Sequence, residues 1–242
     1  MKKKFFSIVL IWVSILWVTN GFLLAQTGKP TVKKKGGVRK DIALIPPQRF
    51  FLDFSDAMLV YVPATQQVQI SAVGTVLSYG GDWESRNVST YLYHLRQKDW
   101  DGFYWKVNTS RREVYRVTGG TFGGHGGTEH RMAATVNVTG SGPGAPTRFS
   151  LRFSSAYLVY QPASENLQIA ALGCTLSYGT DWDKCNFNGA NYHLKLRTWR
   201  GFHWRVNTER SEAYRVTGGP GFCAPGGPIT RERLRASVRV IR

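Results

Sequence analysis

The last stretch of the chain, TRERLRASVRVIR, alternates in a way that could do chemistry. In an extended strand Leu234, Ala236, Val238 and Val240 point one way, and Arg231, Arg233, Arg235 and Arg239 point the other. At about 3.3 Å rise per residue, alternate arginines stand ~6.6 Å apart in one row. Each guanidinium can bond a phosphate or sulfate through two N–H groups, so the row would serve as a ladder for an anionic polymer. The competing role is defensive, since charges along an edge strand discourage edge-to-edge aggregation. A second set is the pair Asp82-Trp83, which recurs as Asp181-Trp182. A carboxylate beside an exposed indole suits a neutral sugar, accepting hydroxyl hydrogens while the ring covers a C–H face. The same pair would also serve as a turn with a tryptophan plugging the end of a sheet.

Histidine and cysteine offer less. His125, Glu129 and His130 cluster in the glycine-rich stretch GGTFGGHGGTEHR, but the corresponding stretch GGPGFCAPGGPITR has no histidine. No metal site and no cofactor are therefore expected. The three cysteines are Cys174, Cys185 and Cys223. Cys174 falls in a strand-like run and the other two in loops, so a Cys185–Cys223 disulfide with Cys174 left over is the expected pairing. No nucleophile, base and orienting group can be assembled from the recurring positions, and no G-x-S-x-G is present. Catalysis is not expected.

These residues sit on a duplicated unit. WDGFYWKVNTSRREVYRVTGG, from Trp100, matches WRGFHWRVNTERSEAYRVTGG, from Trp199, at 15 of 21 positions without a gap, at a constant offset of 99. Two copies of one sequence adopt one fold twice. Within each copy apolar residues alternate with polar ones, the period of half-buried strands. Strands are expected near Ala57–Val62, Val68–Tyr79, Tyr91–Arg96, Phe103–Asn108, Glu113–Thr118 and Arg131–Thr139, separated by Gly- and Asn-rich turns. The class is all-β: two tandem homologous antiparallel β-sandwich or small β-barrel domains. Phe103, Trp105 and Val107 are expected in the core. The other face would hold His94, Tyr104, Lys106, Arg96 and Arg116, and in the second copy His193, His203, Arg205, Lys195 and Arg215. Cations among aromatic rings on one face could receive sulfates, phosphates or carboxylates.

The organisation expected is a signal peptide over 1–25, a basic disordered arm over 26–49, a first repeat over 50–139, a Gly/Pro-rich linker over 140–148 and a second repeat over 149–242. Three lysines, an apolar run and Leu23-Leu24-Ala25 carry the leader; an uncleaved signal anchor is its alternative. The linker TGSGPGAPTR favours two separate beads. The formal net charge is +17, and it is unevenly placed. The first repeat is neutral, whereas the second nets +7 and the arm, with Lys33-Lys34-Lys35, +6. Basicity thus belongs to the arm and to one copy, not to the shared fold.

The expectation is an exported binding protein at the cell envelope, the cell surface or outside it. Its partner would be an anionic polymer: acidic polysaccharide, lipopolysaccharide phosphate or extracellular nucleic acid. Arg205, Arg215, Arg231, Arg233, Arg235 and Arg239 would carry the binding, with the arm as a tether to an anionic surface. A neutral glycan held by Asp82, Trp83, Asp181 and Trp182, or a protein partner in an envelope structure, are the alternatives.

Overall fold

The computed structural model describes residues 46–140, 144–224 and 227–242. The expected leader over 1–25 and almost all of the basic arm lie outside the described residues. Twenty strands alternate with short turns and build four five-stranded antiparallel sheets. The first ten are β1 (Arg49–Phe54), β2 (Met58–Val62), β3 (Gln67–Ala72), β4 (Thr75–Tyr79), β5 (Trp83–Asn87), β6 (Leu92–Gln97), β7 (Phe103–Asn108), β8 (Glu113–Thr118), β9 (Thr128–Arg131) and β10 (Ala134–Thr139). The second ten repeat the pattern: β11 (Arg148–Phe153), β12 (Ala156–Gln161), β13 (Asn166–Ala171), β14 (Cys174–Tyr178), β15 (Trp182–Asn186), β16 (Asn191–Leu196), β17 (Phe202–Asn207), β18 (Glu212–Gly218), β19 (Ile229–Arg233) and β20 (Ala236–Ile241).

Alternation drives the pairing. In β3, Val68, Ile70 and Ala72 are buried while Gln67, Gln69 and Ser71 are not. The run from Val68 to Tyr79 is two strands, not one, because Val73 (φ 46°) and Gly74 (φ 68°) are both left-handed. Two such residues make the tight hairpin turn whose twist matches the flanking strands. A β-branched residue is rarely left-handed, and here the Asp56 carboxylate anchors the turn by accepting the Val73 N–H at 2.9 and 3.0 Å.

Sheet I has the order β10-β11-β2-β3-β4 and faces sheet II, β5-β6-β7-β8-β9. Tyr61 and Phe149 from sheet I pack on Tyr93 of sheet II, and Phe153 on Trp105. Sheet III (β14-β13-β12-β1-β20) faces sheet IV (β15 to β19) in the same manner, with Phe50 on Tyr192 and Phe54 on Trp204. The protein is thus two antiparallel β-sandwiches.

The first strands are exchanged. β1 pairs with β12 and β20 in the second sandwich, while β11 pairs with β2 and β10 in the first. Each exchanged strand lies inside its sheet, flanked on both sides. The expected separate beads are therefore corrected: Thr139 and Arg148 are register partners, so the Gly/Pro stretch closes a hairpin, although its residues 141–143 lie outside the described residues. Two reciprocal bonds tie the halves further. Trp100 Nε1 donates to the Thr175 carbonyl at 2.9 Å and Trp199 Nε1 to the Val76 carbonyl at 2.8 Å. Ser177 meets its own counterpart, Ser78, hydroxyl to hydroxyl at 2.9 Å, which places a local two-fold axis between them.

Candidate functional site

Sheet II buries its inner face and, around His94 and Tyr104, part of its outer one. Trp83, Trp100 and Trp105 form the inner cluster, with ring centroids 4.9 to 6.0 Å apart. On the outer side His94 of β6 packs tilted against Tyr104 of β7, ring centroids 4.6 Å apart, and Phe122 from the glycine-rich loop closes edge-on over Tyr104 at 5.7 Å. The Gly123 N–H donates to His94 Nδ1 at 3.1 Å. His94 is 1% exposed, and that burial, helped by Lys106 and His125, pushes its pKa down to about 4. A neutral imidazole is the form that can accept the Gly123 bond. One turn of pleat away, Lys106 Nζ meets Glu129 Oε1 at 2.6 Å. The first copy pairs His94 and Lys106 with groups of its own.

The second copy does not. Strand register makes His203 the counterpart of Tyr104 and Arg205 the counterpart of Lys106. On the edge strand, Arg231 opposite Val216 takes the place of Glu129 opposite Val117. A cation–carboxylate pair becomes two guanidiniums. Among the described residues neither Arg205 nor Arg231 is in a salt bridge. Arg205 is held instead by Asn191, the counterpart of Leu92, whose Oδ1 accepts from Arg205 Nε at 3.1 Å and Nη2 at 2.9 Å and from Asn207 Nδ2 at 3.1 Å. A neutral amide orients the guanidinium without cancelling its charge. Burial and then the neighbouring Arg231 lower the Arg205 pKa from its ordinary value.

Beside the two arginines a cavity of about 380 Å³ opens under the glycine-rich loop, walled by His193, His203, Phe187 and Ile229. His193 and His203 stack at 4.7 Å and are each 8% exposed. His193 Nδ1 and His203 Nε2 are buried without a hydrogen-bond partner. Burial pushes the His193 pKa down to about 4, with His203 and Arg205 adding to it; burial also lowers that of His203, with Lys195 and Arg205. The roof is three residues longer than in the first copy, as the pairs Thr118↔Thr128 and Thr217↔Thr230 show. A Cys185–Cys223 disulfide, Cα atoms 6.0 Å apart, staples it to β15. Cys174 is free and buried.

The other residues singled out in sequence scatter. TRERLRASVRVIR is two strands in two sheets, broken at Leu234 and Arg235, so the single arginine row is corrected. Arg233 follows Arg231 on the same face and lies 3.8 Å from Glu212. Arg235 is exposed in the break between the strands. Arg239 sits in sheet III, over the Phe51 ring at 3.9 Å and 3.4 Å from Asp53. Arg215 is on the wrong side: it pairs directly with Trp204, and its guanidinium covers Phe202 at 4.2 Å on the core-facing side. The same holds for Arg116 over Phe103 at 4.0 Å. The Asp-Trp loops are corrected too. Trp83 and Trp182 are 8% and 1% exposed and belong to the three-tryptophan clusters, so neither indole can cover a sugar. Asp82 and Asp181 end short 3-10 turns whose carbonyls accept from Lys98 and Arg197.

Sequence reasoning misses Asn191 and Phe187 as site residues, and it places His94, His193 and His203 on the outer face without showing that they are buried. The signal was present in the differences between copies, but it appears only after the loops of unequal length are aligned by strand register. Comparison with family models, curated proteins and solved structures finds no match. Among the described residues no helix is long and apolar enough to cross a membrane, and no group of three metal-ligating side chains converges.

Proposed function

We propose that the protein is an exported, non-catalytic binding protein for anionic polymers, and that the outer face of sheet IV around Arg205 and Arg231 is where they dock. The observation that carries this reading is the replacement of the Lys106–Glu129 ion pair by two arginines, neither of which forms a salt bridge among the described residues, the nearby Glu212 lying 3.8 Å from Arg233 instead. Two like charges brought together repel, and a bound anion would convert that repulsion into a pair of charge-assisted bonds. Partner classes are acidic polysaccharide, lipopolysaccharide phosphate and extracellular nucleic acid. The basic arm would add attraction to an anionic surface, and linked weak contacts gain avidity without new contact types.

The test is binding of the protein to a sulfated and a carboxylated polymer across a salt series. Affinity should fall steeply with salt, because each neutralised charge releases counterions. The double variant Arg205→Ser, Arg231→Ser should show a shallower slope, whereas Arg235→Ser with Arg239→Ser should leave it near wild type. An unchanged slope in the first variant, or salt-independent binding, would refute the assignment.

A further inference from the structure

We infer that the cavity under the glycine-rich loop of the second sandwich is a binding site for a hydroxylated ring bearing a carboxylate, a uronate-type sugar unit. The inference rests on the anionic-polymer reading above and narrows it to acidic polysaccharide.

Three features of the cavity converge on that chemistry. The first is the anion. In the first copy the place beside Lys106 is filled by a carboxylate, that of Glu129. In the second copy the place is held by Arg231, and Arg205 stands ready on Asn191. A ligand carboxylate there restores the pairing that the other copy makes within its own chain, and a planar guanidinium suits it through two parallel N–H bonds.

The second feature is the pair of unsatisfied imidazole nitrogens, His193 Nδ1 and His203 Nε2. Buried polar atoms are nearly always partnered. A neutral imidazole has one donor and one acceptor nitrogen, and a hydroxyl can serve both. A sulfate or a fully ionised phosphate offers acceptors alone and can serve these nitrogens only in their N–H form, whereas a hydroxyl pairs with either tautomer. A ring carrying both hydroxyls and a carboxylate satisfies the imidazoles and the arginines together.

The third feature is the wall. Phe187 is 41% exposed at the cavity rim, and its ring lies nearly parallel to His193, with centroids 6.0 Å apart and an interplanar angle of 18°. The first copy has Val88 at this position. A flat exposed ring gives the C–H face of a sugar an apolar surface. The volume, about 380 Å³, falls in the range of small-molecule pockets and suits one or two sugar rings.

The experiment is calorimetric titration of the full chain with sodium D-galacturonate, D-galactose and sodium sulfate, while the imidazole ring signals of His193 and His203 are followed by NMR. Galacturonate should bind at least tenfold more tightly than either of the others and shift both imidazoles. His203→Tyr, which installs the first copy's residue, should lose at least tenfold of that preference with its thermal midpoint preserved. If that variant does not fold, Phe187→Val at the exposed rim carries the same expectation. Equal binding of the three probes, unmoved imidazole signals, or a preference retained in the folded variant would overturn the inference. If sulfated and carboxylated polymers both bind with the Arg205- and Arg231-dependent salt slope while galacturonate shows no preference, the cavity inference falls and the polymer reading stands. If no polymer binds, both fall.

Discussion

Replacing Arg231 with glutamate should make the protein more stable and less able to hold an anion. The substitution puts into the second copy the residue that the first copy carries at that register position. There, Lys106 Nζ and Glu129 Oε1 are 2.6 Å apart, with side chains 25% and 39% exposed. A partly exposed pair of this kind contributes about 0.2–1 kcal/mol, and removing the Arg205–Arg231 repulsion adds an amount of the same order. A net gain on the order of 1 kcal/mol would raise the thermal midpoint by ~2–4 °C for a cooperative unit of this size. The gain should shrink in molar salt, where charges are screened within about 3 Å. Binding should move the other way. A charge-assisted bond is worth ~1.5–3 kcal/mol, so affinity for a carboxylated polymer should fall at least tenfold. Differential scanning fluorimetry at low and high salt, run beside a polymer-binding assay on the same samples, reads both quantities. A lower midpoint, or an affinity within twofold of wild type, would show that the two arginines do not face a common anion and would refute the reasoning.

The strand exchange predicts a single unfolding transition for both sandwiches, so van't Hoff and calorimetric enthalpies should agree; two resolved transitions would contradict it. Leu52 of β1 is fully buried in the second sandwich, and Leu52→Ala should cost about 2–5 kcal/mol, lowering that one transition rather than splitting it. Stability should also fall as pH drops from 6.5 toward 4. His94 and His193 keep depressed pKa values of about 4 when folded, so the unfolded chain binds more protons in that window. Their contribution, on the order of 3 kcal/mol each, is complete above 6.5 and is lost as pH falls through 4. The groups that bear on them are Lys106, His125 and Glu129 for His94, and His203 and Arg205 for His193. Urea midpoints that stay flat between pH 6.5 and 4.5 would count against this. Reducing the Cys185–Cys223 bond, which spans 38 residues, should cost about 2–4 kcal/mol and weaken polymer capture by releasing the roof; chemical denaturation with and without reductant tests it.

Much of the fold is legible as alternation. Val68, Ile70 and Ala72 announce their strand, and the constant offset announces the duplication. What the pattern could not carry was partner choice. β1 and β11, RFFLDF and RFSLRF, are so alike that either could complete either sheet with nearly the same buried contacts. Nothing local distinguishes exchange from its absence. Facing was lost for a related reason. The parity of Arg215 follows from its register against Trp204, which the turn after Asn207 sets, and single-strand alternation is blind to that. The arginine row failed because Leu234 looks like one more inward residue, while in the structure it buries itself where the chain leaves one sheet for another. Of the proposed site, the excess charge of the second copy points in sequence to Arg205 and Arg231, while the cavity beside them requires a third dimension.

The pairing of β1 with β20 has a consequence for engineering. Arg49 lies against Ile241 as Thr139 lies against Arg148, so the two seams of the molecule are equivalent, and only the second is bridged by a hairpin. A short peptide joining β20 to β1 would turn the chain into a closed ring, and a cut in the hairpin would reopen it as a circular permutant with every sheet intact. Each sandwich takes its inner strand from the other half of the chain, so neither half, cut out and left by itself, would keep the pairings it has here.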